Sequence, residues 1–201
     1  MADPGPPGGQ DAAVPQEPKE AAEEKVDEVP FLVTLLEHPE LNVRWRAAEA
    51  LGEARDPRAV DALVKALRDP FQDVSWIAAE SLGKIGDPRA APAIIRVLSD
   101  DYWRVRTEAA RALGVLGDRS AQEPLIRALQ DENWRVRREA SLALGRLQAE
   151  HSIEPLVSLL GDPEATVRAS AAGALQEIGK ASIVPLTRAL KDPDRGVRRA
   201  A

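Results

Sequence analysis

The chain has 201 residues, no cysteine and a formal net charge of −6 at neutral pH. Without cysteine there is no disulfide framework, no thiolate metal site and no cysteine nucleophile; an oxidising compartment is not needed, and a cytoplasmic location is expected. The charge balance disfavours a broad nucleic-acid-binding surface, because the acids are concentrated at the N-terminus and little net charge remains for the rest.

Residues 1–27 hold seven acids (Asp3, Asp11, Glu17, Glu20, Glu23, Glu24, Asp27) against Lys19 and Lys25, among many prolines and glycines. Such a composition cannot bury enough apolar surface to offset the entropy of ordering, so the segment reads as a disordered acidic tail. It lacks the basic start and apolar run of a signal peptide, and no later stretch is apolar for long enough to cross a membrane. Its GPPGG stretch lies away from any strand-to-helix turn and reads as low complexity rather than as a phosphate loop.

From residue 28 the chain repeats itself. DYWRVRTEAARALG at 101–114 returns as ENWRVRREASLALG at 132–145, and the motif valine recurs at Val43, Val74, Val105, Val136 and Val167 at intervals of 31, then at Val197 after 30. Six units follow (28–55, 56–86, 87–117, 118–148, 149–179 and an incomplete 180–201). A period of this length marks a solenoid, in which each unit buries its apolar face against its neighbours.

Each unit contains two helical patterns. The first carries Leu63, Val64 and Leu67, matched by Ile94, Ile95, Leu98 and by Leu125, Ile126, Leu129, spacings that define one helix face. The second reads Val105, Ala109, Ala110, Leu113, Leu116, with small residues that permit close helix approach. Gly86-Asp87-Pro88 and Gly117-Asp118 pair a glycine suited to a left-handed helix end with an aspartate suited to capping the next helix. Pro92, Pro124, Pro155 and Pro185 fall near the start of the first helix, where a missing amide hydrogen costs little.

The pattern L-x-D followed by V-R-x-x-A-A-x-A-L-G-x-I-G-D-P resembles the HEAT-like repeats of the phycobilisome lyase type over residues 28–201. The resemblance implies an all-α, right-handed superhelix of the armadillo/HEAT type with the second helices lining the concave side, and it implies use as a protein-binding scaffold without a cofactor. In related families, columns of aspartate and arginine such as Asp100, Asp131, Asp162, Asp192 and Arg106, Arg137, Arg168, Arg198 form a ladder between repeats. That ladder is expected to break where Ser75 replaces arginine and where His38 replaces aspartate.

Opposite the core positions of the second helix runs an outer stripe: Trp45, Glu49, Glu53; then Trp76, Glu80, Lys84; then Trp103, Thr107, Arg111, Val115; then Trp134, Arg138, Leu142, Arg146. All four tryptophans thus share one face, with Tyr102 beside them. An aromatic cluster rimmed by charge is the composition of a protein-binding hot spot, whereas Trp103 and Trp134 can also pack between repeats. The candidate partner-binding residues are Trp45, Glu49, Trp76, Glu80, Tyr102, Trp103, Arg104, Arg111, Trp134, Arg135, Arg138 and Leu142. Glu49, Glu53 and Glu80 lie toward the N-terminal end and Arg104, Arg111, Arg135, Arg138, Arg146 and Arg199 toward the other, an asymmetry that would orient a partner of complementary charge.

Catalytic constellations are sparse. His38 and His151 are the two histidines, they lie in different repeats, and neither begins the His-Glu pairs of the HEAT-like deoxyhypusine hydroxylases. No metal and no cofactor is implied. The leading reading is a non-enzymatic scaffold for a protein or peptide on the concave face. A partner-dependent subunit in bilin attachment or removal is the alternative the family name suggests. A nucleic-acid-binding role like that of the HEAT-like alkylpurine DNA glycosylases is disfavoured by the acidic balance. The sixth unit ends five residues into its second helix, too short to persist alone, so it is expected to fray or to stack end to end on another molecule.

Overall fold

The computed structural model describes residues 27–201. The acidic tail therefore lies outside the described residues except for Asp27, whose carboxylate accepts hydrogen bonds from Arg58 at 2.6 and 2.9 Å. Among the described residues the regular structure is entirely helical and falls into six helix pairs. These are α1 (Val29–Leu35) with α2 (Leu41–Ala54), α3 (Val60–Ala66) with α4 (Gln72–Ile85), and α5 (Ala91–Arg96) with α6 (Trp103–Leu116). They continue as α7 (Gln122–Ala128) with α8 (Trp134–Arg146), α9 (Ile153–Ser158) with α10 (Ala165–Ile178), and α11 (Ile183–Ala189) with α12 (Arg195–Ala200). No helix among them is long and apolar enough to cross a membrane.

Local chemistry sets the ends of these helices. Asp56, Asp87 and Asp118 accept the amide two residues on at 2.8, 2.9 and 2.8 Å, opening the short 3-10 turns that lead into the first helix of the next pair. Gly86 and Gly117 take left-handed φ values of 75° and 69° at the ends of α4 and α6, as their residue type predicts. The equivalent place after α2 is held by Arg55 at φ 51°, and after α8 by Gln148 at φ 48°.

The second helices form one continuous row, α2 against α4, α6, α8 and α10 in turn, while α1, α3, α5, α7 and α9 each pack on the second helix of their own pair. The motif leucines Leu51, Leu82, Leu113, Leu144 and Leu175 are fully buried along the row. Each contributes about 1.5–3 kcal/mol by leaving water. Close spacing depends on the glycine that follows each of the first four leucines, at 52, 83, 114 and 145. A Cβ on Gly145 would lie 2.8 Å from the Ala174 Cα of the next helix, a distance that side-chain movement cannot relieve. The architecture is an α-solenoid of the HEAT and armadillo type.

Arginines pin the pairs together, in a register that the sequence columns do not reveal. Arg106 reaches the Asp131 carboxylate at 2.7 and 2.9 Å, and Arg44 and Arg137 do the same to Asp69 and Asp162, in each case into the following pair. To the aspartate six residues before it, each arginine donates only at the main-chain carbonyl: Arg106 Nη1 bonds Asp100 O at 2.8 Å. His38 therefore does not break the ladder as expected, because its carbonyl accepts from Arg44 at 2.8 Å as an aspartate's would. Ser75 does break it: its hydroxyl donates to Asp69 O at 3.2 Å, and among the described residues no guanidinium forms an ion pair with Asp100. The rung from Arg168 to the last pair is also missing among the described residues; Arg168 bonds only the Asp162 and Pro163 carbonyls, at 2.6 and 2.9 Å.

The C-terminal segment is helical and docks on the preceding pair. Residues 195–200 form α12, whose start is capped by Asp194 Oδ1 accepting from Gly196 and Val197 at 2.5 and 3.3 Å. Val197 is 9% exposed, seated against the Leu159–Gly161 turn of the preceding pair, so tertiary contact supplies what an isolated turn lacks.

Candidate functional site

Trp76 stands two residues after its motif valine, and Trp103 two residues before its own, so the two differ in place along their helices. The stacking of α4 on α6 brings them to the same guanidinium. The Arg104 Cζ lies 5.5 Å from the Trp76 ring centroid, 5.5 Å from that of Trp103 and 6.0 Å from that of Tyr102. One pair further on, Arg135 lies 5.0 Å from the Trp103 ring and 4.3 Å from the Trp134 ring. Aromatic and guanidinium groups thus alternate across three helices as Trp76, Arg104, Trp103, Arg135, Trp134. Each contact is worth about 0.5–1 kcal/mol where exposed, and together they fix the side chains in place.

Below this series lie two acids that occupy the same position on α6 and α8. Glu108 is 8% exposed and Glu139 3%. Arg111 approaches both, at 3.3 Å from Glu108 and 3.5 Å from Glu139, and Arg138 lies 3.3 Å from Glu139. These approaches are long, and Glu108 Oε2 and Glu139 Oε1, both shielded from solvent, have no hydrogen-bond partner among the described residues. Burial pushes the Glu108 carboxyl above the usual range; Arg111 opposes the push and the nearby Glu80 and Glu139 charges add to it. Both acids line a cavity of about 240 Å³, together with Trp76, Trp103, Arg104, Arg111, Arg135 and Arg138. An adjoining cavity of about 330 Å³ shares Glu108 and Arg111 and extends to Glu80, Lys84 and Val115.

Of the residues singled out in the sequence, Trp76, Trp103, Arg104, Arg111, Arg135 and Arg138 meet at the smaller cavity and Glu80 at the larger. Trp134 and Tyr102 join through the arginines they stack on. Trp45 is half-buried against the core, and Glu49 and Leu142, also half-buried, line neither cavity. Thr107 does not belong to an exposed stripe: it is buried and its hydroxyl donates to Trp103 O at 2.8 Å. The acidic end of the stripe is partly neutralised from within, since Lys84 bonds Glu53 at 2.6 Å and Glu80 at 3.0 Å. Glu108 and Glu139 were not legible as site residues, because helix phase places them between the core and outer stripes. The signal for them is a glutamate three residues after the valine in both RVRTEAARALG and RVRREASLALG. Among the described residues no group of three or more His, Asp or Glu side chains stands together as a metal-binding cluster.

A family model described as HEAT repeats matches residues 29–114, 93–176 and 153–201. The chain belongs to the HEAT-repeat family. The structure of the complex of CpcE and CpcF of phycocyanin lyase from Nostoc sp. PCC7120 is similar to it, with a TM-score of 0.70 and 26% identity over 96% of this chain and 79% of that one. This likeness agrees with repeats of the phycobilisome lyase type. An engineered protein matches with a TM-score of 0.64 and 25% identity, over 87% of this chain and 93% of its own. A designed armadillo repeat protein in complex with a peptide (KR)4 shares the fold, with a TM-score of 0.61 and 21% identity over 86% of this chain and 96% of its own. No curated protein is matched by the sequence.

Proposed function

We propose that this HEAT-repeat chain is a non-enzymatic scaffold whose six repeats, divided as the sequence divides them, hold a protein or peptide along the concave face lined by the second helices. The observation that carries this reading is the alternating series Trp76, Arg104, Trp103, Arg135, Trp134 beside an open cavity. Tryptophan and arginine dominate interface hot spots because each offers a large, semi-rigid contact area with a polar edge. Contacts between neighbouring rings and guanidinium groups restrict these side chains before a partner arrives, and such preorganisation lowers the entropy lost on binding. A designed protein of the same fold is found in complex with a peptide, which supports a peptide as one class of ligand. The test is co-purification with the full chain as bait. A partner retained by the parent and by Arg96→Ala/Arg127→Ala, on the first helices, but lost by Trp76→Ala/Arg104→Ala fits this reading; equal retention by all three overturns it.

A second reading follows from the similarity to the CpcE and CpcF complex: a subunit that works in bilin attachment or removal with a partner of its own kind. Added bilin would then shift its visible absorbance in the presence of that partner. The scaffold reading extends to end-to-end self-association through the last pair, where Ile183, Val184 and Leu190 are 58%, 60% and 54% exposed. Light scattering tests it, and a strict monomer at high concentration counts against it.

A further inference from the structure

We propose that the cavity between α4, α6 and α8 is a receptor for carboxylate groups, and that the partner segment seated on the second helices there is acidic. This rests on the protein-partner reading above and names the chemistry of that partner. The Arg104 and Arg135 guanidinium groups lie over indole rings, and neither side chain forms a hydrogen bond among the described residues. A guanidinium held over an aromatic ring without a hydrogen bond of its own keeps its N–H donors available, and its planar fork matches a carboxylate two oxygens at a time.

Arg111 and Arg138 are held from the opposite side. Their approaches of 3.3–3.5 Å to the buried Glu108 and Glu139 are longer than the 2.7 Å of Arg106 to Asp131. They are tethered and yet retain donors for a ligand. Glu108 Oε2 and Glu139 Oε1 meet only these long approaches, from Arg111 and Arg138 at 3.3 Å, and form no hydrogen bond among the described residues, so neither acid saturates the donors of its arginine.

Four guanidinium groups outnumber the two buried carboxylates, which leaves the cavity cationic even with both acids ionised. Glu80, which lines the adjoining cavity, is already paired with Lys84 at 3.0 Å. A basic segment would meet four like charges here, whereas an acidic one meets paired donors and two indole rings for its methylene groups. The volume of about 240 Å³ is below the range, about 300 Å³ and upward, of pockets that enclose small molecules, and suits side chains reaching in from a chain that lies across the helices.

The test uses the full chain and two labelled peptides, one alternating glutamate and glycine, the other lysine and glycine, followed by fluorescence anisotropy at low salt. The glutamate peptide is expected to saturate, and the lysine peptide to show no binding. Arg104→Ala/Arg135→Ala should weaken the glutamate peptide by roughly tenfold or more, the loss of one to two charge-assisted pairs. Arg96→Ala/Arg127→Ala removes the same charge from the first helices and should bind as the parent does. Arg104→Lys/Arg135→Lys keeps the charge without the planar fork and should also weaken binding, which separates fork recognition from bulk attraction and guards against misfolding of the alanine variant. Equal weakening in the Arg96/Arg127 control, undiminished binding by the lysine variant, or equal binding of the lysine peptide overturns the proposal. A glutamate peptide that fails to bind while a protein partner is still captured through Trp76 and Arg104 defeats this inference alone; loss of that capture defeats the scaffold reading itself.

Discussion

Arg106 grips the Asp131 carboxylate of the next helix pair at 2.7 and 2.9 Å, and its remaining arm bonds the Asp100 and Asp101 carbonyls at 2.8 and 3.0 Å. One side chain thus closes the loop before its own helix and fastens the loop after it. The same rung is absent between the second and third pairs, where Ser75 stands buried at the arginine position and Asp100 forms no ion pair among the described residues. Ser75→Arg should complete it, with Asp69 O as one acceptor and the Asp100 carboxylate as the other. Charge-assisted bonds of this kind are worth about 1.5–3 kcal/mol, and desolvation takes back part of that, so a net gain of about 1–2 kcal/mol is expected. Urea unfolding checks it; a midpoint unchanged or lowered shows that the serine site cannot seat the larger side chain.

The glycine of the repeat answers to packing rather than to backbone conformation. Gly145 sits inside α8, and an added Cβ would meet Ala174 Cα at 2.8 Å and Glu177 Oε2 at 2.8 Å. The carboxylate can swing away and the main chain cannot. Gly145→Ala should therefore destabilise by about 1–3 kcal/mol, the usual cost of overpacking, even though alanine is the better helix former by about 1 kcal/mol. Thermal unfolding decides between the two effects, and a raised midpoint means that propensity wins.

Much of the fold was legible because each unit repeats the same physical solution. Val105, Ala109, Ala110 and Leu113 share a face by spacing alone, and all four are fully buried. The ladder was only half legible. Its residues stand out, but an aspartate six residues before an arginine looks like its partner in sequence, while helix stacking delivers the aspartate 25 residues after it. The site was legible as composition and not as geometry. Trp76 and Trp103 differ in helical phase, and nothing in either unit alone indicates that Arg104 will lie between them. Glu108 and Glu139 were hidden because a charged residue at a boundary position reads as solvated until its neighbours are placed over it.

Position 148 offers a stabilising change of a different kind. Gln148 holds φ 48° where Gly86 and Gly117 hold 75° and 69° at the matching helix ends. An L-residue with a Cβ pays about 1 kcal/mol in that region, and glycine returns part of it through its freer unfolded chain. Gln148→Gly should raise stability by about 0.5 kcal/mol or leave it level. Loss of more than that in chemical unfolding would show that the Gln148 side chain contributes contacts beyond its backbone.

The buried acid beneath the arginines should leave a signature in pH. Burial raises the folded-state affinity of Glu108 for its proton above the ordinary value of 4.5, so the native state binds protons that the unfolded state releases. Below that ordinary value both states are protonated and the group costs nothing. As pH rises through it toward the raised folded value, the native state loses stability progressively, and above the folded value the loss is complete. Carboxylates such as Glu53, held low by Lys84, run the opposite way and lose their contribution as the medium is acidified. Glu108→Gln removes the first effect and leaves the second. Measured against the parent across this range, the variant should match it at acid pH and become relatively more stable toward neutrality. A difference that is flat with pH, or that favours the parent at neutral pH, would mean that Arg111 stabilises the ionised Glu108 by more than burial costs it.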